Sequence, residues 1–218
     1  MSKLVWDQTG ERLYETGVEQ VALYPQEGGN YPKGYAWNGF TALNLTPSGA
    51  EPTNLYANNR KYLSLMSAEE LGGTIEAYTY PDEFMVCDGS VALVDGVYIG
   101  QQTRKPFGLV AKTIIGNDTE LNKHGYKLHL VYGALASPSE KNYSSINEDP
   151  EVEPFSWEVT TTPVDVAGFE PTSYVCIDST KVDAEKLKAL EAILYGSDDV
   201  EARLPLPDEV AEMMKTAA

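Results

Sequence analysis

The sequence predicts a mainly β protein, either a sandwich or a barrel, with one helix packed on the sheet and a short helix near the C-terminus. Apolar and polar residues alternate along many short segments, which is the period of half-buried strands. Turns rich in Gly and Pro separate these segments. A helical period replaces the alternation after residue 181. We expect a single domain over residues 1–218, with the packed helix at 181–196 and a C-terminal arm or helix at 197–218.

Acidic residues dominate the charge of the chain. It contains 33 Asp and Glu against 16 Lys and Arg, which gives a net charge of −17. Proteins that bind nucleic acids without regard to sequence neutralise phosphates with Lys and Arg, so this balance disfavours that function. High solubility is the simplest consequence of the acidity. The first residues lack an apolar core of signal-peptide length, and no apolar stretch approaches a membrane span.

The first part of the chain predicts two strands and a long polar loop. Val18 to Tyr24 is a short strand, and residues 35–45 form a longer strand with two distinct faces. From Thr46 to Arg60 the chain has two prolines, a glycine and three asparagines, which predicts a loop. Long loops in a compact domain usually have a function. The candidate contact residues in this loop are Pro47, Glu51, Tyr56 and Asn58.

Further strands are expected before the middle of the chain, at residues 61–67, 71–80 and 107–115. Between them, Asp95-Gly96 separates the apolar segments SVALV and VYIGQ. Asp-Gly in such a context is the strongest short-range signal of a β-hairpin.

Residues 126–163 predict two strands joined by a polar arm. In the first, Tyr126 to Ala134, the even-numbered residues share an apolar face. In the second, Phe155 to Thr162, the face with Trp157 is apolar. Its opposite face carries Ser156, Glu158 and Thr160. The arm from Ser137 to Pro154 has five acidic residues and little to bury, so it should project. Its candidate contact residues are Ser139, Tyr143, Asn147 and Glu151.

Two helices are expected near the C-terminus. Leu187, Leu190 and Leu194 recur at helical spacing, and this stripe should pack against the sheet. Thr180 with Asp183 resembles a capping box, and Gly196 supplies a C-terminal stop. A second helix over residues 207–215 would cover either its own domain or a neighbouring molecule.

No pattern in the sequence predicts catalysis. His124 and His129 lie five residues apart, so on one strand they point to opposite faces and are poor joint metal ligands. The sequence contains no nucleophile elbow, metalloprotease motif or phosphate-binding Walker sequence. The two cysteines, Cys87 and Cys176, are expected to be reduced. We therefore expect no enzymatic activity, no metal and no cofactor.

The sequence does favour an assembling protein. It has 14 tyrosines, which bring large contact area with a polar tip to interfaces. Edge strands of an isolated β domain must be protected, whereas those of an assembling domain can pair with neighbours.

Several segments together resemble one family. These are AYTYPDEF, IGND and the run from ASPSEKNY to FSWEVTTTPV. The chain is similar, from about Val5 to the LPLPDEV segment, to the major tail proteins, or tail tube proteins, of long-tailed bacteriophages and prophages of Gram-positive bacteria. The resemblance lies in the overall pattern, because none of these strings is a chemical motif.

The resemblance implies a virion structural protein that forms six-membered rings, which stack into a hollow tail tube for DNA ejection. Each subunit of such a ring lends a sheet to a continuous inner β-barrel. Four strands from each of six subunits, spaced about 4.8 Å apart, would give a bore roughly 37 Å across at the backbone. Further implied partners are tape-measure, tail-terminator and baseplate proteins. Assembly would occur in the cytoplasm of the bacterial host.

Four strands are the expected lining of the bore, at residues 35–45, 71–80, 126–134 and 155–162. The candidate lumen-facing residues are Glu76, Ser156, Glu158 and Thr160. An acidic or neutral lining would repel phosphates, so DNA would pass without specific binding. The loop 46–60 and the arm 137–154 would then join rings or subunits.

Two other functions remain open on the sequence. A head, neck or decoration protein of a virion would share the acidity, the β content and the assembly. A carbohydrate-binding adhesion module would use exposed Tyr and Trp to stack on sugars. A hydrolase is the weakest alternative.

Overall fold

The computed structural model describes residues 3–145 and 152–215 and confirms a mainly β protein with two helices. The strands are β1 (Tyr14–Pro25), β2 (Tyr35–Ala36), β3 (Phe40–Gly49), β4 (Pro52–Ala57), β5 (Arg60–Met66), β6 (Glu69–Ala77), β7 (Val91–Val94), β8 (Val97–Ile99), β9 (Phe107–Asn117), β10 (Leu121–Ala136), β11 (Phe155–Thr161) and β12 (Tyr174–Asp178). The helices are α1 (Ala184–Tyr195) and α2 (Pro207–Met214), and Asp82–Phe84 forms a short 3₁₀ turn.

One large antiparallel sheet organises the chain. Its strand order is β2-β1-β9-β10-β11-β6-β3, and β12 pairs with β10 on the stretch that β11 leaves free. The sheet curls so that β1 and β3, near the two ends of the strand order, approach each other, but it does not close into a barrel. Two separate hairpins, β4–β5 and β7–β8, stand outside it.

The concave face of the sheet encloses the larger apolar core. Trp157 on β11, Ile75 on β6 and Leu109 on β9 are almost fully buried there. Trp37 and Phe84 enter from connecting segments and pack against Trp157 with ring centroids 6.0 and 5.1 Å away. Every long strand of the sheet therefore has one face in this core.

The helices cover part of the convex face. Leu187, Leu190 and Leu194 of α1 are buried with Leu128 and Leu130 of β10, as the apolar stripe predicted. Its capping differs from the prediction, because Asp183 itself is the N-cap and accepts bonds from the amides of Glu185 and Lys186. Gly196 ends α1 with a positive φ of 81°, as predicted. Val210 anchors α2 in the same core, so α2 covers its own chain.

Strand β10 corrects two expectations. Residues 128–134 are buried, so neither face of this part of the strand is open to solvent, although its second face carries the polar side chain of His129. Gly133 adopts φ 61° beside a register shift, which moves Ala134 to the concave side with Val131. The expected alternation from Tyr126 to Ala134 is therefore wrong at its last residue.

The expected loop from Thr46 to Arg60 is wrong, because this segment is mostly β structure. Strand β3 continues to Gly49, and β4 then pairs with β5 in a hairpin whose turn, Asn58-Asn59, has positive φ. The expected strand at residues 35–45 is also divided, since residues 37–39 separate β2 from β3. The hairpin predicted at Asp95-Gly96 is confirmed between β7 and β8.

The positions of the projecting segments can be described relative to the two ends of strand β11. Two segments lie beyond Thr161: the β4–β5 hairpin and the connection to β12. The hairpin lies there because Gly72 of β6 pairs with Thr160, and β6 extends past this pair to Glu69, next to the hairpin. At Phe155, the other end, lies the arm, whose Ser137 amide bonds the Glu158 carbonyl. We call these the Thr161 end and the Phe155 end.

Candidate functional site

The convex face of β11, β6 and β3 is left open by the helices. Residues that pair directly across antiparallel strands share a face, and Ser156 pairs with Glu76, which pairs with Ala42. One step further along, Glu158 pairs with Thr74, which pairs with Asn44. The next row on this face is Thr160, Gly72 and Thr46, followed by the pair Glu70 and Ser48. We call these residues the acidic face.

All four candidate lumen residues lie together on the acidic face. Glu76, Ser156, Glu158 and Thr160 occupy adjacent positions on β6 and β11. Ser156, Glu158 and Thr160 are exposed, whereas their neighbours Trp157 and Val159 are buried in the core. The predicted faces of β11 are therefore confirmed, and this brings the four residues into one surface.

The acidic face carries negative charge without compensation. It presents Glu70, Glu76 and Glu158, and β3, β6 and β11 contain no Lys, Arg or His. None of these three carboxylates forms an ion pair within the described ranges 3–145 and 152–215. The remaining side chains are small or neutral; Asn44 Nδ2, for example, donates to Thr74 Oγ1 at 3.0 Å. Such a surface repels polyanions.

Strands β10, β11, β6 and β3, which hold most of the four expected bore segments, are contiguous in the sheet, but residues 35–36 lie in β2 at the opposite edge. Only the last part of β10 reaches the acidic face, where Leu135 pairs with Thr160 and is partly exposed. The surface that the sequence assigned to four strands is thus made by three strands and one end of a fourth.

The first set of candidate contact residues lies on the β4–β5 hairpin and on the chain that leads into it. Pro47 lies in β3, Glu51 precedes the hairpin, Tyr56 is in β4 and Asn58 is in its turn, and all four are exposed. Arg60 and Lys61 follow the turn, so the tip is basic in an acidic protein. Leu55, Leu63 and Leu65 share one apolar face of the hairpin and are exposed. A two-stranded hairpin with an uncovered apolar face is suited to docking.

The arm after β10 is tied to the Phe155 end over its first residues. Lys141 reaches Asp88 and the Tyr80 ring, and the Tyr143 ring lies 5.9 Å from that of Phe155. Ser139 donates to the carbonyl of Ser137. Candidate residues Asn147 and Glu151 lie outside the described residues.

A polar cluster that the sequence did not reveal lies around His129, in the middle of β10. His129 Nδ1 is 2.6 Å from the Tyr174 hydroxyl, and its Nε2 is 2.8 Å from Thr113 Oγ1 and 3.3 Å from Glu15 Oε1. Burial lowers the pKa of His129. Burial alone would raise the pKa of Glu15, but hydrogen bonds from Lys127 and Thr113 outweigh it and hold that pKa below its usual value.

This cluster has no sequence signature, because its residues come from four strands that are distant in the chain. Glu15 and Lys127, for example, are 112 positions apart. We interpret the cluster as a buried polar network that aligns β1, β9, β10 and β12.

Within residues 3–145 and 152–215, no group of three or more His, Cys, Asp or Glu side chains is arranged to hold a metal ion. Among the helices described, none is long and apolar enough to cross a membrane. Neither a scan of protein-family models nor a search of curated proteins finds a match to this chain.

Proposed function

We propose that this protein is a virion structural protein whose hexameric rings stack into a bacteriophage tail tube, a conduit for DNA ejection. The resemblance of its sequence to tail tube proteins suggests this role. In this role it forms a homo-oligomer, contacts tape-measure, tail-terminator and baseplate proteins, and ends in the virion after assembly in the host cytoplasm.

The acidic face is the observation that carries the proposal. Glu76 and Glu158 stand on a part of the sheet whose other side is the apolar core, so this part of the acidic face is rigid and its charge is held in place. A bore lined with such faces repels phosphates along its whole length. A duplex then slides through without being held.

The sheet has an edge that allows the faces of neighbouring copies to join. In the part of the chain that the structure describes, β3 pairs with β6 along Phe40–Gly49 and with no second strand, and β1 lies near β3 without pairing with it. An unpaired strand edge offers its amides and carbonyls to another strand. Pairing of β3 with a second copy extends the acidic face from one subunit to the next and so supports a continuous lining.

The two contact segments lie at opposite ends of β11. The β4–β5 hairpin extends from the Thr161 end and the arm leaves from the Phe155 end. Rings that stack along the strand direction need contact elements on both surfaces, because each ring touches one neighbour above and one below. This placement supports a role of both segments in stacking.

The first test is the assembly state of the purified protein. Negative-stain images at high concentration should show hollow tubes with a regular repeat, and a cryo-EM map should place Glu76 and Glu158 in the bore. An obligate monomer at every concentration would refute the proposal, as would a strongly basic bore or an acidic face buried against other protein. Shells or single rings would favour a head, neck or decoration protein.

A deletion variant tests the contact segments. Replacement of residues 52–66 by a two-residue turn joins β3 to β6 directly, and it should leave a folded monomer that no longer polymerises. Circular dichroism and the unfolding midpoint check the fold, and electron microscopy checks the polymer. Tubes of normal length from this variant would show that the β4–β5 hairpin does not stack rings.

A further inference from the structure

The β7–β8 hairpin is an apolar element that no other part of the chain covers within residues 3–145 and 152–215. Val91, Leu93 and Val94 of β7 and Val97, Tyr98 and Ile99 of β8 are all exposed, Leu93 by 66%. Val91 pairs with Ile99 on one face and Ala92 with Tyr98 on the other, so both faces are apolar. Its only charged residue is Asp95 in the turn. These side chains form a patch on the order of a few hundred Å², the size that marks an interaction site on a soluble protein.

The root of this hairpin is held in place. Arg104 pairs with Asp88 at 3.2 Å, and the Gln102 amide bonds the Gly89 carbonyl at 2.9 Å. Just before the root, Phe84 and Cys87 are fully buried in the core. Because the root is ordered before any partner arrives, little conformational entropy is lost when the hairpin docks.

An apolar groove of about 420 Å³ lies at the other end of the molecule. Its walls come from β12, α2 and the connection before β12, including Val166, Val175, Val210 and Met214. Phe169 stands on its rim and is 80% exposed. A cavity of about 150 Å³ suffices for a benzene molecule, so the groove can accept more than one apolar side chain.

The pairing of β10 with β9 and β12 shows that the hairpin root and the groove lie at different positions along the strand direction. Phe107, just after the root, pairs with Ala134, and Asp88 contacts Lys141 beyond Ala136. Strand β12, the floor of the groove, pairs with Lys127–Val131 of β10. At about 3.3 Å per residue, the two sites lie on the order of 25 Å apart. The hairpin therefore projects at the Phe155 end, and the groove opens towards the Thr161 end.

We propose that the β7–β8 hairpin of one copy occupies the groove of a second copy, in a head-to-tail contact. The inference rests on the proposed function, since it names the surfaces through which copies of this chain meet along the strand direction. Two different patches on one molecule that fit each other generate a heterologous interface, which propagates from copy to copy. A stable interface buries roughly 800 Å² per partner, so the hairpin patch of a few hundred Å² supplies the apolar centre of such a contact.

Other classes of partner fit the hairpin less well. Between Ser90 and Gln102 it has no Lys or Arg to bind a phosphate. Its single aromatic residue, Tyr98, makes a poor platform for a polysaccharide. An apolar groove is the surface that complements an apolar hairpin, and every copy in an assembly carries both.

The native Cys176 permits a direct test, because it lines the groove and is exposed. The other cysteine, Cys87, is fully buried, and burial raises its pKa to about 12, so it does not compete. In the Leu93→Cys variant at high concentration, mild oxidation should link the introduced thiol of each copy to Cys176 of the next. A ladder of covalent oligomers beyond the dimer is expected on a non-reducing gel.

Two control variants define the outcome. Leu93→Cys combined with Cys176→Ser can form only symmetric dimers. Leu121→Cys places a thiol on an equally exposed leucine outside the proposed contacts and should give no ladder. A ladder from Leu93→Cys alone supports the contact, whereas products that stop at the dimer overturn it.

The wild-type protein gives an independent readout that does not depend on the new cysteine. Maleimide should label Cys176 at least tenfold more slowly in the assembled form than in dilute monomer. Equal labelling rates in both forms would overturn the contact. Normal tubes without the ladder would refute the hairpin–groove contact but not the proposed function. A ladder without tubes would support the contact and refute the proposed function.

Discussion

The ammonium of Lys141 lies 2.5 Å from the Asp88 carboxylate, whose side chain is only 8% exposed. Asp88 also pairs with Arg104 at 3.2 Å, so one carboxylate holds both the root of the β7–β8 hairpin and the arm that follows β10. The Lys141 ammonium also lies 4.8 Å from the centre of the Tyr80 ring. The two segments that leave the Phe155 end are thus fastened at one point.

Replacement of Lys141 by Met should release the arm and destabilise the protein by about 1–2 kcal/mol. A buried carboxylate then loses one of its two cations, while Arg104 still compensates part of its charge. Urea unfolding measures the loss, and limited proteolysis between residues 137 and 145 measures the release. Lys188→Met on the exposed surface of α1 is the control and should change the stability by less than about 0.5 kcal/mol. Equal stability of the two variants would contradict the role of Lys141.

Stability should fall on acidification, first through His129 and then through Glu15. Burial lowers the pKa of His129 in the folded protein. Below about pH 6.5 the histidine of the unfolded chain therefore binds a proton that His129 of the folded protein does not bind, and the free energy of unfolding decreases as pH falls. The pKa of Glu15 is also lowered, and its contribution is lost at more acidic pH, as the carboxylate becomes protonated.

The variant His129→Gln isolates the first of these effects. Its free energy of unfolding, measured in urea from pH 7.5 to 5, should depend less on pH than that of the wild type, by up to about 1.4 kcal/mol per pH unit. The groups that face His129 are Glu15, Lys127, Thr113 and Tyr174, and they are unchanged in this variant. An unchanged pH slope would show that another group governs the acid response.

Gly133 should not tolerate a side chain. Its φ is 61°, and a Cβ there would lie 2.2 Å from the Thr162 carbonyl oxygen. Gly133→Ala should therefore cost about 2–5 kcal/mol, from left-handed strain and from the steric clash together. Gly28→Ala is the matched control, because Gly28 has φ 57° but no atom within 4 Å of the added Cβ. It should cost about 1 kcal/mol. Similar thermal unfolding of both variants would mean that the bulge can relax.

Neighbouring positions on β11 should respond in opposite ways. Trp157→Ala should cost about 3–5 kcal/mol, since it empties a fully buried site that Phe84 and Trp37 surround. Glu158→Gln should change the stability by less than about 0.5 kcal/mol, because its side chain is on the exposed acidic face. Chemical denaturation measures both. A large loss from Glu158→Gln would show that the acidic face has a structural role within the monomer.

Local signals explain which elements could be predicted. The alternation in β11, the Asp95-Gly96 turn and the leucine stripe of α1 each act over a few residues, and the structure contains all three. The segment 46–60 was not predicted as β structure because its Pro and Asn residues disfavour strands. Its strands form because β3 and β6 pair as far as Gly49 and Glu69, and this brings β4 and β5 together.

By itself, the sequence determined the strand and helix periods, the faces of β11 and the excess of negative charge, because each depends on the order and type of nearby residues. The tertiary structure decided which faces are covered. Helix α1 packs on β10 and buries its second face, whereas the face of β11, β6 and β3 stays open and gathers three carboxylates. The His129 cluster and the shared anchor at Asp88 also exist only in the folded chain, because they join residues that are remote in sequence.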